Sequence, residues 1–147
     1  MARSYFSTVM DRPADEVWAV ARDFNGLAEW FSAAIVSSEI EEGKSGDTVG
    51  GVRNFLFGET RIREHLLAMD DIERSYTYEF YEPRPFPVDN YAATLRVTPV
   101  TDGDAAFVEW WVTFDCAEAE RAHWEGFFAA EVFKPALDSL RAYLAAR

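Results

Sequence analysis

Residues 51 to 70 read G-V-R-N-F-L-F-G-E-T-R-I-R-E-H-L-L-A-M-D and predict a β-hairpin. Polar and apolar residues alternate on both sides of Gly58-Glu59, a dipeptide suited to a two-residue turn. Counting back from this turn places Arg53 directly opposite Glu64 on the neighbouring strand. The stretch therefore predicts two opposite charges at facing positions of an antiparallel sheet.

Strand parity predicts that both charges point into the protein, because residues two apart share a face. Glu64 shares its face with Ile62 and Leu66, whereas the opposite face of that strand carries three basic side chains. Arg53 lies on the more aromatic face of its own strand, with Phe55. Two interpretations remain open. The pair is either a satisfied ion pair that fixes strand register, or the polar anchor of a pocket in which Arg53 receives a carbonyl or carboxylate and Glu64 accepts or relays a proton.

The rest of the chain extends this hairpin into a larger sheet and a helix. Residues 34 to 115 divide into six alternating segments that are separated by Gly-, Asp- or Pro-rich turns. Residues 2 to 10 predict an earlier strand, and two short helices are expected around Val17 and Leu27. The C-terminal part carries an apolar stripe of helical period over about 28 residues, in which Pro135 should kink the helix rather than end it.

This order of elements predicts an α+β fold, with a seven-stranded, curved antiparallel sheet wrapped around a long C-terminal helix. A single domain spanning residues 1–147 is expected, since no repeat, low-complexity tract or linker interrupts the chain. Aromatic residues make up 16% of the chain and are spread along it, which is more ring surface than a core of this size requires. We therefore expect an aromatic-lined pocket for a small, largely apolar molecule between sheet and helix.

Composition also excludes several classes of function. The net charge of −12 and the lack of a basic run argue against a nucleic-acid partner. Cys116 is the only cysteine, and His65 and His123 are far apart in sequence, so neither a metal site nor a cofactor is expected. No apolar run approaches the ~20 residues of a membrane span, so membrane insertion is not expected and the protein is predicted to be cytoplasmic.

Motifs along the whole chain resemble one known family. They are P-A-D-E-V-W at residues 13 to 18, Trp30, G-G-V-R at 50 to 53 with Phe55, R-E-H-L-L-A-M-D at 63 to 70, Arg74, Tyr78, P-F-P at 85 to 87 with Tyr91, Trp110 with Phe114, and the closing amphipathic helix. In order and spacing they resemble the polyketide cyclase/dehydrase branch of the SRPBCC, or START-related, helix-grip superfamily. The resemblance implies a β-α-α-β6-α arrangement in which the sheet grips the last helix around a cavity.

The resemblance also implies which residues form the site. The cavity is expected to be lined by Phe31, Arg53, Phe55, Glu64, Tyr76, Tyr78, Phe86, Tyr91, Trp110, Trp124, Phe127 and Phe128. The proline-rich loop around Phe86 should lie at its mouth, and Trp18 and Trp30 should pack in the core beneath the entrance.

Three functions follow from this resemblance. The favoured one is the binding of a lipid-like or polyketide-like molecule in the cavity. The first alternative is a cofactor-free polyketide cyclase or dehydratase in which Arg53 and Glu64 are catalytic, through proton transfer and oxyanion stabilisation. The second alternative is a protein-interaction module.

Overall fold

The computed structural model describes residues 1–147 and contains seven strands, four α-helices and one π-helical segment. The strands are β1 (Ala2–Met10), β2 (Ile35–Ile40), β3 (Val52–Phe57), β4 (Thr60–Asp70), β5 (Ser75–Tyr81), β6 (Asp89–Val100) and β7 (Ala105–Asp115). The helices are α1 (Ala14–Ala21), α2 (Leu27–Trp30), α3 (Arg121–Phe127) and α4 (Lys134–Ala145), and the π-helical segment (Phe128–Phe133) joins α3 to α4.

The strands form one antiparallel sheet in the order β1-β7-β6-β5-β4-β3-β2. Register shifts between Ile35 and Ser37, between Leu66 and Ala68, and in the first residues of β6 interrupt the pairing. Such bulges bend a strand and increase its twist, which lets the sheet curve. The predicted α+β architecture, with a curved seven-stranded sheet around a C-terminal helix and two short helices after the first strand, is confirmed.

The central hairpin has the predicted register. β3 and β4 pair so that Arg53 faces Glu64 and Phe57 faces Thr60. Gly58 has a φ of +62°, a left-handed conformation that residues with a Cβ adopt at a cost. A glycine at this position therefore allows the tight turn that sets the whole register.

The core lies between the concave face of the sheet and the C-terminal helix, and 34 buried hydrophobic residues form it. Leu137, Leu140 and Leu144 of α4 are buried at helical spacing, as the apolar stripe predicted. Trp110 of β7 stacks on Phe133 with ring centroids 4.9 Å apart. The helix continues through Pro135 as expected, and the irregularity before it is the π-helical segment.

The π-helical segment has an identifiable cause in β1. The Ser4 hydroxyl donates to the backbone carbonyl of Glu125 at 2.6 Å and accepts from the N–H of Ala129 at 2.9 Å. An α-helix would join these two groups directly, because its N–H groups bond to the carbonyl four residues earlier. A side chain that inserts into this ladder opens it, and the α-helical pattern changes at the following residues. Ser4 therefore connects the first strand to the C-terminal helix through two hydrogen bonds.

The same helix covers the outer edge of β1. The backbone N–H of Arg3 donates to the Glu125 carboxylate at 3.0 Å, and the carbonyl of Val9 accepts from Arg141 at 3.3 Å. Arg3 and Val9 are an even number of residues apart, so their main-chain groups point to the same side of the strand, where both bond to the C-terminal helix. Side chains of the helix thus form hydrogen bonds with main-chain groups near both ends of this edge strand.

Replacing Ser4 with alanine should destabilise the protein by roughly 1–2 kcal/mol, because it removes the partner of a partly buried carbonyl and a partly buried N–H. Urea unfolding followed by tryptophan fluorescence measures the change. Ser37→Ala on β2 is the matched control, since Ser37 is exposed and should change stability by less than about 0.5 kcal/mol. Equal stabilities of the two variants would contradict this role for Ser4.

An ion pair between Glu41 and Arg63 connects the turn after β2 to the central hairpin. Glu41 accepts hydrogen bonds from Arg63 Nε and Nη2, each at 2.7 Å, and from Asn54 at 2.9 Å. The Arg63 hydrogen bonds lower the pKa of Glu41 to about 2, against an ordinary value of 4.5. The folded state therefore favours the ionised carboxylate.

Because the folded pKa of Glu41 is depressed, its contribution to stability is complete above about pH 4.5 and is lost as the pH falls towards 2. Glu41→Gln should lower the free energy of unfolding by about 1–2 kcal/mol near pH 6, a size that allows for the partial exposure of the pair, and by much less near pH 2.5. Chemical unfolding at the two pH values measures this. Glu39→Gln on the exposed side of β2 is the control, and an equal pH dependence in both variants would refute the assignment.

Candidate functional site

A largely apolar cavity lies between the sheet and the C-terminal helix. Thirteen of its fifteen lining residues are hydrophobic, and the other two are Arg53 and Glu64. The centre of a water molecule can occupy about 40 Å³ of this space. That is room for a few waters and well below the ~300 Å³ or more of an ordinary ligand pocket. Aromatic side chains therefore fill most of the interior in this conformation.

The two charged residues of the cavity wall form a buried ion pair. Arg53 and Glu64 are 1% and 5% exposed. Glu64 Oε1 accepts hydrogen bonds from Arg53 Nε, at 3.1 Å, and from Arg53 Nη2. Arg53 Nη1 donates to the backbone carbonyl of Phe24 at 2.9 Å. Each nitrogen of the guanidinium is thus committed to an acceptor of the protein.

The second oxygen of the Glu64 carboxylate, Oε2, has no hydrogen-bond partner in the protein. Two buried side-chain polar atoms have neither a hydrogen-bond partner nor an exposed surface, and they are the indole nitrogens of Trp30 and Trp124. Oε2 is not one of them, so it is not fully enclosed. Because Glu64 lines the cavity, we infer that Oε2 is accessible from it.

Aromatic rings surround the guanidinium. Arg53 Cζ lies 3.8 Å from the ring centroid of Phe24, 5.4 Å from that of Phe55 and 5.3 Å from that of Tyr78. Such cation–π contacts stabilise a desolvated cation by up to about 2 kcal/mol. Burial opposes the charge on Arg53, but the attraction of Glu64, its hydrogen bond and the nearby Tyr76 and Tyr78 together outweigh burial and leave the pKa of Arg53 raised. The arginine therefore stays charged inside the protein.

Burial acts in the other direction on the carboxyl group. Desolvation raises the pKa of Glu64, and the attraction of Arg53 offsets this only in part. A buried carboxyl with a raised pKa takes up a proton more readily than a surface glutamate does. The cavity thus contains one group capable of proton exchange, held in place by its bonds to Arg53.

Two tyrosines supply the remaining side-chain hydroxyls of the wall. The Tyr78 hydroxyl accepts a hydrogen bond from Trp110 Nε1 at 3.1 Å. The Tyr91 ring stacks on Phe80, with centroids 3.8 Å apart. Burial raises the pKa of both tyrosines, so both hydroxyls are neutral at physiological pH. They can form hydrogen bonds but add no charge.

Phe86, in the proline-rich loop between β5 and β6, lies at the mouth of the cavity. It lines both the cavity and a groove outside it, and three further residues are shared by the two spaces. Its ring packs against Phe80 and against three aromatic side chains of the C-terminal helix. Phe86 therefore lies, with the three shared residues, at the boundary between the interior and the outer groove.

Eight of the twelve residues proposed to line the cavity surround it. They are Phe31, Arg53, Phe55, Glu64, Tyr78, Phe86, Tyr91 and Trp110. The four that do not line it are Tyr76, Trp124, Phe127 and Phe128. Tyr76 packs against Trp18 and Phe24, because α1 covers that end of β5. The three helix rings pack around Phe86 and fill the end of the interior near the mouth.

Sequence reasoning missed seven lining residues. They are Leu27, Ile35, Phe57, Ile62, Phe80, Val132 and Ala136. Val132 and Ala136 are the most informative, because they face the cavity from the C-terminal helix and their small side chains leave the space open. Small residues four apart within an otherwise bulky apolar stripe are the sequence signal that could have located it.

The two tryptophans expected beneath the entrance are buried in the core. Trp18 Nε1 donates to Asp71 at 2.8 Å, and Trp30 stacks on Phe31. His65 lies on the other face of β4, where its Nδ1 is 2.8 Å from the Glu79 carboxylate. No group of three or more His, Cys, Asp or Glu side chains is arranged to hold a metal ion. None of the helices combines the length and apolar character needed to cross a membrane.

A family model described as "Polyketide cyclase / dehydrase and lipid transport" matches residues 1–145. The chain belongs to this family. None of the curated proteins matches it. Among solved structures, this family member is similar to a protein from Thermobifida fusca, with 29% identity, a TM-score of 0.86 and coverage of 99% of this chain and 95% of the other. It is also similar to the protein XoxI from Bacillus cereus, with 29% identity, a TM-score of 0.83 and coverage of 99% and 96%.

The fold extends to a more distant enzyme. Norcoclaurine synthase from Thalictrum flavum is 15% identical, with a TM-score of 0.79 and coverage of 99% of this chain and 94% of the other. At this identity the likeness concerns the fold alone. For this member of the polyketide cyclase / dehydrase and lipid transport family, the chemistry of the cavity has to be argued from its own residues.

A double-mutant cycle tests the buried pair. Glu64→Leu and Arg53→Met should each cost roughly 3–5 kcal/mol, because each leaves one buried charge without its partner. The double variant should lose much less than the sum, since it buries no charge at all. Urea unfolding of the four proteins measures the coupling. Additivity to within about 0.5 kcal/mol would show that the pair makes no net interaction. A double variant that is more stable than either single variant would confirm that the two charges depend on each other.

Proposed function

We propose that this protein binds a small, largely apolar molecule in the cavity between the sheet and the C-terminal helix. The carrying observation is an interior space with thirteen hydrophobic lining residues and a single buried ion pair. Apolar walls with a few convergent polar groups are typical of small-molecule sites. The family description, which includes lipid transport, supports the same conclusion.

Binding requires the cavity to enlarge, since about 40 Å³ is too little for such a molecule. Phe86 is the side chain whose movement would do this, because it stands between the cavity and the outer groove. If the Phe86 ring swings outwards, the two spaces join into one. The closed conformation then represents the empty state, and ligand binding shifts the protein towards an open one.

Phe86→Ala should therefore strengthen the binding of the neutral fluorescent probe N-phenyl-1-naphthylamine by at least about threefold, because the open state no longer has to be formed at the expense of the Phe86 contacts. Fluorescence titration measures the dissociation constant. Tyr5→Ala is the control, since Tyr5 stacks on Trp111 on the outer face of the sheet. Binding that is unchanged or weakened in Phe86→Ala, relative to the control, would contradict the role of Phe86.

The natural ligand can be identified directly. Native mass spectrometry of the protein purified from its own host would detect a bound molecule as an added mass, and denaturation would release it for identification. A co-purifying apolar molecule is the expected result. Protein that carries no such molecule and binds no apolar probe would argue against a ligand-binding role and favour a protein-interaction module.

Catalysis is the second candidate, and the raised pKa of Glu64 favours it. A general base works best when its pKa approaches the working pH, and burial moves Glu64 in that direction. Glu64 would remove a proton next to a carbonyl, and the neutral hydroxyl of Tyr78 would stabilise the resulting oxyanion, as enolisation, aldol-type cyclisation or dehydration requires. Glu64→Gln should then abolish turnover of any substrate found, while Glu79→Gln on the outer face should leave it unchanged.

A further inference from the structure

We propose that the cavity selects an apolar ligand bearing a neutral hydroxyl group, which donates a hydrogen bond to Glu64 Oε2, and that it rejects carboxylates. This inference rests on the proposed function and names the chemical class of its ligand. It follows from which atoms of the buried ion pair are committed within the protein and which are not.

The guanidinium is already paired with a carboxylate of the protein. Its three nitrogens donate to Glu64 Oε1 and to the carbonyl of Phe24. One of its faces is covered by the Phe24 ring at 3.8 Å. These hydrogen bonds use three of the five N–H groups, so a ligand carboxylate that reached the other two would share the cation with Glu64 and place a second negative charge next to that carboxylate. Arg53 is therefore better suited to holding Glu64 than to receiving an anion.

Glu64 presents the opposite chemistry. Oε1 accepts both hydrogen bonds from Arg53, whereas Oε2 accepts none from the protein, and Glu64 lines the cavity. The residue is 5% exposed, so this oxygen is a hydrogen-bond acceptor in a nearly closed, apolar surrounding. A carboxylate oxygen forms stronger hydrogen bonds than a neutral acceptor does. A ligand that brings a donor to Oε2 gains this bond.

Charge balance then restricts the donor to a neutral one. The cavity wall carries one positive and one negative charge, which together are neutral. A ligand carboxylate would place a second negative charge beside Glu64, and a ligand ammonium would place a second positive charge beside Arg53. Either leaves one uncompensated charge in an apolar interior, which is costly. A hydroxyl satisfies Oε2 without adding charge.

The remainder of the wall suits a ring. The Tyr91 and Phe80 rings stack, and the centroid of the Phe86 ring lies 6.0 Å from that of Phe80. A planar apolar ligand can pack against such rings. Small aromatic alcohols of one size are therefore suitable probes of the anchor.

Four naphthalene derivatives of similar size test the proposal on the unmodified protein. Isothermal titration at about pH 7 would compare 2-naphthol, 2-methoxynaphthalene, naphthalene and 2-naphthoate. We expect 2-naphthol to bind about tenfold or more tightly than 2-methoxynaphthalene, since only the former donates a hydrogen bond. We expect 2-naphthoate to bind most weakly of the four.

The outcomes separate this inference from the function on which it rests. If naphthalene binds but 2-naphthol is no tighter than its methyl ether, or 2-naphthoate binds as tightly as 2-naphthol, the anchor is overturned while the cavity remains a ligand site. If none of the four binds, both proposals are overturned.

A variant assigns the preference to one residue. Glu64→Gln should reduce the preference for 2-naphthol over its methyl ether to about threefold or less, because a neutral amide accepts a weaker hydrogen bond than a carboxylate. Glu79→Gln removes a carboxylate from the outer side of β5, where it contacts His65, and should keep the full preference. Equal preferences in the two variants would overturn the assignment to Glu64. The comparison of ligands on the unmodified protein stands independently of whether Glu64→Gln folds.

Discussion

The burial of Arg53 against Glu64 is the constraint on which the rest of the structure depends. Two buried charges are tolerable only when they meet, so β3 and β4 must pair in the one register that brings them together. If one strand slipped by one residue, its charge and its apolar side chains would turn to the other face of the sheet, away from the partner charge. The bond from Arg53 to the carbonyl of Phe24 extends this constraint to the loop before α2. One ion pair thus fixes two strands and the segment that crosses them.

The cavity exists because the residues around that pair differ in size. Rings from the sheet and from α3 fill most of the interior, and Val132 and Ala136 are too small to complete the packing on the helix side. Protein interiors are otherwise packed as densely as organic crystals, so such a gap next to two charges is a specific feature of this chain. Glu64 lines this gap, and Phe86 lies where the gap meets the outer groove.

Local patterns were sufficient for the sheet and insufficient for the details of the interior. Alternation and the Gly58-Glu59 turn predicted the register of Arg53 and Glu64, because both signals act over a few residues. The π-helical segment could not be predicted, since it depends on Ser4, which is 121 residues away from Glu125. The limits of the cavity were missed for a similar reason. Tyr76 has the parity of a lining residue, but a helix from another part of the chain covers it.

The coverage of β1 by helix side chains has a consequence for how the protein behaves at high concentration. A seven-stranded open sheet has two edges, and an edge with free main-chain groups can template the addition of a strand from another molecule. Glu125 and Arg141 already form hydrogen bonds with main-chain groups at the two ends of β1. That edge is therefore protected against the addition of a strand from another molecule. The remaining edge is β2, six residues long and interrupted by a bulge, which makes it a poor template for fibril growth.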